Sequence, residues 1–228
     1  MYLNISYQLG EWQLREVNIF LSNIILGTVI LVCAIQLVRL LPEHLERKHW
    51  DSFFWLLGIS ALLGAVGHLF TAYRWGHGLM VASWAFNILA IFKLERAVLE
   101  QIRDEGWRRW LIYLVYAKLV GFLVWQLIAQ EYKVAGIHSA IGTIGMLLPV
   151  VVFIIRKTTE VSVKWFVAGF LLSGLAGLAF ALQWDLHPWV MHQDVGHYLV
   201  ALSVVCFYLA VRWLHRESVL YPAREGWF

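Results

Sequence analysis

Charge is scarce in this chain: 14% of its 228 residues are Asp, Glu, Lys or Arg, where a soluble domain carries roughly 25%. Cysteine is scarcer, with Cys33 and Cys206 alone. Both fall in the middle of apolar runs and are expected to be small apolar fillers rather than a disulfide. The N-terminus lacks a basic start followed by a short apolar core, so no secretory signal peptide is expected. Low-complexity stretches and obvious internal repeats are missing as well. What is absent therefore excludes an ordinary soluble domain.

What is present is apolar surface. Hydrophobic residues make up 61% of the chain, with thirteen Trp and nine Tyr, rings that favour the headgroup level of a bilayer. Apolar runs fall at 18–40, 53–73, 77–94, 108–130, 134–155, 162–183 and 195–214. A membrane-crossing helix needs about 20 such residues, so seven spans with short loops use nearly the whole length. The expected fold is an all-α seven-transmembrane helix bundle, one polytopic domain over 1–228. The second and third runs are separated by Arg74-Trp75-Gly76-His77-Gly78, which reads as a tight turn.

Direction follows from Lys and Arg in the loops. Fourteen of the eighteen fall in loops 1, 3 and 5 and the C-terminal tail, against three on the other side (Arg15, Arg74 and Lys133). The last, Lys118, lies inside the fourth span. That split places the N-terminus outside and the C-terminus in the cytoplasm of a plasma or inner membrane. Small residues at Gly169, Ser173 and Gly177, and at Gly136, Ser139, Gly142 and Gly145, suit close helix packing.

With the ends assigned, six of nine histidines fall in the outer half: His68, His77, His138, His187, His192 and His197. His68 follows the apolar stretch Leu62-Leu63-Gly64-Ala65-Val66-Gly67, and an ionisable group at such depth is costly and usually functional. Asp194 and His197 are three apart, so a helix places them on one face. An imidazole and a carboxylate at that spacing can share a metal, with His68 as third ligand, the arrangement of catalytic zinc. Lys118 is the other anomaly. Without an acidic residue mid-membrane, its expected partners are Asn87, Tyr113, Tyr116 or backbone carbonyls, in a structural or pocket-lining role.

These features resemble the CREST superfamily, which includes alkaline ceramidases and the adiponectin-receptor group. The resemblance lies in Gly58 to His68, with Ser60, and in His192-Gln193-Asp194-x-x-His197 followed by Tyr198. It implies a zinc-dependent membrane hydrolase of a lipid amide or ester. The family's zinc ligands match at His68 and His197, with Asp194 substituting for a histidine that would fall at Gln193. His77 or His192 would then act as base or oxyanion partner, and Ser60 would orient a ligand. The expected partner is a membrane lipid, as substrate or ligand; no nucleic acid is expected, and a homo-oligomer is compatible with the sequence. Two rivals use the same residues differently: a non-enzymatic sensor or receptor, and a b-type haem protein.

Overall fold

The computed structural model describes residues 7–40, 45–100, 102, 104–147 and 161–220. Seven α-helices lie in them: α1 (Val17–Leu40), α2 (Leu45–Leu69), α3 (Arg74–Leu99), α4 (Glu105–Ala129), α5 (Tyr132–Ala140), α6 (Val161–Ala181) and α7 (His192–Leu220). Six of them, all but α5, are long and apolar enough to cross a membrane. The fifth apolar run behaves differently. Its α-helix stops at Ala140 and continues as a π-helix over Ile141–Leu147; the rest of that run, 148–155, lies outside the described residues. So do Arg103, Arg156, Lys157 and Arg224, four of the basic residues that set the expected direction.

Helix ends follow local chemistry. Asp104 caps α4 by accepting from the Trp107 N–H at 3.0 Å, satisfying one of the donors a helix start leaves open. Gln130 closes the same helix in the left-handed region, with φ 52°. The link between α2 and α3 is not the expected glycine turn. It is formed by residues 70–73, and α3 begins at Arg74, so Gly76 and Gly78 lie inside its first turns. Gly76 is there because a Cβ would stand 2.0 Å from the Phe70 carbonyl oxygen.

The helices close a ring, α1–α2–α3–α5–α6–α7 and back to α1, while α4 packs outside it against α3 and α5. The core between α1, α2, α3, α6 and α7 is rich in aromatics: Phe53, Phe166 and Phe170 each meet Phe207 with centroids 5.0–6.4 Å apart. Lipid tails are as apolar as Leu, so close packing rather than the hydrophobic effect holds such helices together. Gly169 and Ser173 supply it at the α6–α7 contact. A Cβ on Gly169 would meet the Phe207 ring at 2.6 Å, and Ser173 Oγ lies 2.7 Å from Ser203 Oγ. Gly177, the third member of that stripe, faces open space. Cys33 and Cys206 are both buried and unpaired, as small fillers are.

A short hairpin precedes α1. Strands β1 (Tyr7–Leu9) and β2 (Trp12–Leu14) pair antiparallel, with Gly10 at φ 61° in the turn, a conformation open to glycine without steric cost. The hairpin docks on the α2–α3 turn. Trp12 meets Phe70 and Tyr73 edge-on at 5.7 and 5.4 Å. The Gln13 N–H donates to the Tyr73 hydroxyl at 2.9 Å, and the Arg15 N–H to the Leu69 carbonyl at 3.0 Å.

Candidate functional site

The docked hairpin delivers the chain into α1 through Glu16, which has φ 49°. A left-handed backbone at a residue other than glycine costs on the order of 1–3 kcal/mol and persists only where the surroundings impose it. Here the imposed geometry points the Glu16 carboxylate at His68, with Oε2 2.7 Å from Nδ1. His68 sits in the last turn of α2 and keeps part of its side chain exposed.

One turn into α1, Asn18 and Ser22 share a face at four-residue spacing and reach across to α7. Asp194, buried at 1% exposure, receives three donors. Asn18 Nδ2 and the Met191 N–H approach Oδ2 at 2.9 and 3.0 Å, and Ser22 Oγ approaches Oδ1 at 2.6 Å. Ser22 Oγ also lies 2.9 Å from His197 Nδ1. A hydroxyl has one proton and a carboxylate only accepts. With that proton directed to Asp194, Ser22 Oγ accepts from His197 Nδ1–H, and in the neutral ring the lone pair rests on Nε2. Two imidazoles on different helices are thus braced through Nδ1, one by Glu16 directly and one by Asp194 through Ser22.

Aromatic packing completes the α7 side. The Phe180 ring of α6 stands edge-on to His192 and His197, at 6.2 and 6.1 Å. It gets that close because residue 196 is glycine; a Cβ there would lie 2.3 Å from the ring. Gly196→Ala is therefore expected to push Phe180 off both imidazoles. Overpacking of this kind costs about 1–3 kcal/mol, read as a lower melting temperature by tryptophan fluorescence in detergent.

The other expected site residues are placed elsewhere. The His192 N–H donates to Asp185 Oδ1 at 2.6 Å, and His192 Nδ1 lies 2.9 Å from the same oxygen. His192 thereby pins the Gln183–Met191 loop to the start of α7. His77 is exposed on α3 and meets Trp84 edge-on at 6.1 Å. Ser60 is buried in a reciprocal staple: its hydroxyl donates to the Ser83 carbonyl and the Ser83 hydroxyl to the Ser60 carbonyl, both at 2.8 Å. That pair ties α2 to α3. Lys118 has a partner that the sequence reading excluded. Its Nζ lies 2.6 Å from Glu95 Oε1, because α3 continues to Leu99 and carries Glu95 a full turn inside the helix at 0% exposure.

Among the described residues, no three His, Cys, Asp or Glu side chains are grouped so as to hold a metal ion. Asp194, the expected third zinc ligand, already has both carboxylate oxygens engaged. The residues present thus offer two imidazoles rather than a three-ligand centre. Glu16, Asn18 and Ser22 went unanticipated; their one sequence signal is a polar, carboxylate-led opening to an otherwise apolar run.

A family model covers residues 19–216, which takes in almost all of the six helices long and apolar enough to cross a membrane. The chain belongs to the DUF6962 family. This is a family of unknown function, and no curated protein and no solved structure gives a match. Of the DUF6962 match, Ser22, His68, Asp194 and His197 all lie inside, while Glu16 lies just ahead of it.

Proposed function

We propose that the protein is a seven-span membrane hydrolase of a lipid ester or amide, N-terminus outside, working by acid–base catalysis between His197 and His68. The observation that carries this reading is the bracing of both imidazoles at Nδ1, which fixes ring orientation and leaves Nε2 for chemistry. A positioned imidazole contributes about 10²–10⁴-fold to proton transfer. In the reaction, His197 Nε2 takes a proton from a water as that water adds to the carbonyl carbon. The resulting tetrahedral oxyanion collapses, the carbon–heteroatom bond breaks, and His68, acting as the doubly protonated ring with Nδ1–H on Glu16, gives its Nε2 proton to the departing alcohol or amine; the proton taken up by His197 then returns to His68 through water. Asp194 and Ser22 keep His197 in the tautomer that accepts. Glu16 keeps His68 turned toward it.

A lipid substrate suits a site set among transmembrane helices, reached sideways from the bilayer. The asymmetry of Lys and Arg supports the direction, and the length of the fifth apolar run supports a seventh span.

No step here is routed through zinc; Asp194, its expected third ligand, is hydrogen-bonded at both oxygens. The same bracing is what a metal-ligating imidazole requires, which makes metal content the deciding measurement. Purified protein, His68→Ala and His197→Ala are each assayed for metal and for release of fatty acid from a panel of lipid esters and amides. The expected outcome is sub-stoichiometric metal in all three and hydrolysis by the wild type alone. Stoichiometric zinc that disappears from both variants would overturn the metal-free mechanism. Hydrolysis unchanged in both variants would overturn the site.

A further inference from the structure

A second concentration of polar groups lies away from these imidazoles, in the seam between α3, α4 and α5. Its centre is the Glu95–Lys118 pair, with Lys118 Nζ also 3.5 Å from the His138 carbonyl. Around it, polar atoms are left without partners. Glu95 Oε2, both ring nitrogens of His138 and both amide atoms of Gln126 are buried and make no hydrogen bond, and all three residues are 0% exposed. Buried polar atoms are partnered in some 90% of cases or more. Five orphaned atoms in one seam mark a place built for an occupant.

The geometry shows what kind. Lys118, Phe122 and Gln126 follow one face of α4 at four-residue spacing, and Phe122 meets His138 edge-on at 5.1 Å. Eight residues of helix put Gln126 about 12 Å from Lys118 along the axis, so the orphaned groups form a file from the α4–α5 loop toward the ion pair. Immediately after His138, the chain turns into the π-helix of Ile141–Leu147, a form that recurs at functional sites. Within it, a Cβ on Gly142 would stand 3.0 Å from both Glu95 Oε1 and Lys118 Nζ, so glycine leaves the pair its room. Glu95 and Lys118 cancel in charge. The orphaned set also offers donors and acceptors together, which suits water rather than an ion.

We propose that this seam is a hydrated proton-binding site. Water enters past Gln126 and His138, and Glu95 Oε2 takes the proton. On uptake, hydronium transfers its proton to that oxygen, leaving water and a neutral carboxyl beside the Lys118 ammonium, whose charge is then solvated by the seam's water and the His138 carbonyl. On release, the proton returns to water by way of His138. Among the described residues, the titratable groups facing the site are Glu95 from α3, Lys118 from α4 and His138 from α5. The π-helix contributes none, and the one titratable group of α6, Lys164, is exposed in its first turn. Asn87, Ser139 and Thr143 line the seam without titrating; Ser139 donates to Asn87 Oδ1 at 2.9 Å and Thr143 to the Ser139 carbonyl at 2.7 Å.

Infrared difference spectroscopy on the full chain in nanodiscs tests this, stepping from about pH 8 to about pH 5, across the imidazole range and toward that of carboxylates. The expected result is a protonated-carboxyl band that shifts in D₂O. It should be absent from the Glu95→Gln, Lys118→Met double variant, which removes both charges together and so avoids leaving either buried alone. In His138→Phe, exchange of that band into D₂O should slow. A wild type without such a band, a band that survives the double variant, or exchange unchanged by His138→Phe would overturn the proposal. His68→Ala and His197→Ala are expected to leave this band unchanged, so its failure is separable from failure of the hydrolase reading.

Discussion

Lys118→Met is expected to destabilise the protein by about 3–5 kcal/mol, the cost of leaving one member of a buried ion pair uncompensated. Glu95 is fully buried and Lys118 nearly so, so neither has bulk water at hand as a substitute partner. Adding Glu95→Gln to Lys118→Met should restore most of that loss, because no buried charge is then left without its counter-ion. The measurement is a double-mutant cycle of melting temperatures in detergent, which isolates the pairwise coupling. Equal destabilisation in the single and double variants would show that the pair contributes only packing.

Asp194→Ala is expected to act on stability and chemistry at once. It leaves Asn18 and the Met191 N–H without their acceptor, while the Ser22 hydroxyl keeps the Ile19 carbonyl at 3.1 Å, for a loss on the order of 3 kcal/mol. It also releases the Ser22 proton. That hydroxyl then divides between His197 Nδ1 at 2.9 Å and the Ile19 carbonyl at 3.1 Å, and the fraction that donates to Nδ1 moves the ring proton to Nε2 and removes the base. Nitrogen-15 spectra of the histidine ring distinguish the two tautomers, so the switch is measurable even where activity is lost through unfolding. Ser22→Ala should break the same link at lower cost, since Asp194 keeps two of its three donors. An unchanged His197 tautomer in both variants would remove Asp194 and Ser22 from the proposed mechanism.

The long helices were legible because about 20 apolar residues in a row admit few other structures, and His68, Asp194 and His197 stood out as ionisable groups against that background. What escaped the sequence depended on where helices end and what they meet. Glu95 read as a loop residue because the third apolar run ends at 94, yet α3 carries on five residues past that point and buries it. Gly76 read as a turn; its actual cause is the Phe70 carbonyl one turn away, visible only once α2 and α3 are packed. Ser60 read as a ligand-orienting group, and its hydroxyl is spent on Ser83, a partner 23 residues distant. Glu16, Asn18 and Ser22 carried too weak a signal in one dimension, since their meaning comes from residues on α2 and α7. The three-residue strands β1 and β2 were too short for any alternation to register.

The hairpin's docking has a practical side. Trp12, Gln13 and Arg15 grip the α2–α3 turn, and the next residue, Glu16, is the one that holds His68. The segment ahead of α1 thus works as a latch, and a fusion partner or purification tag attached there would pull on it. A handle at the far end of α7, remote from the braced imidazoles, leaves the latch closed.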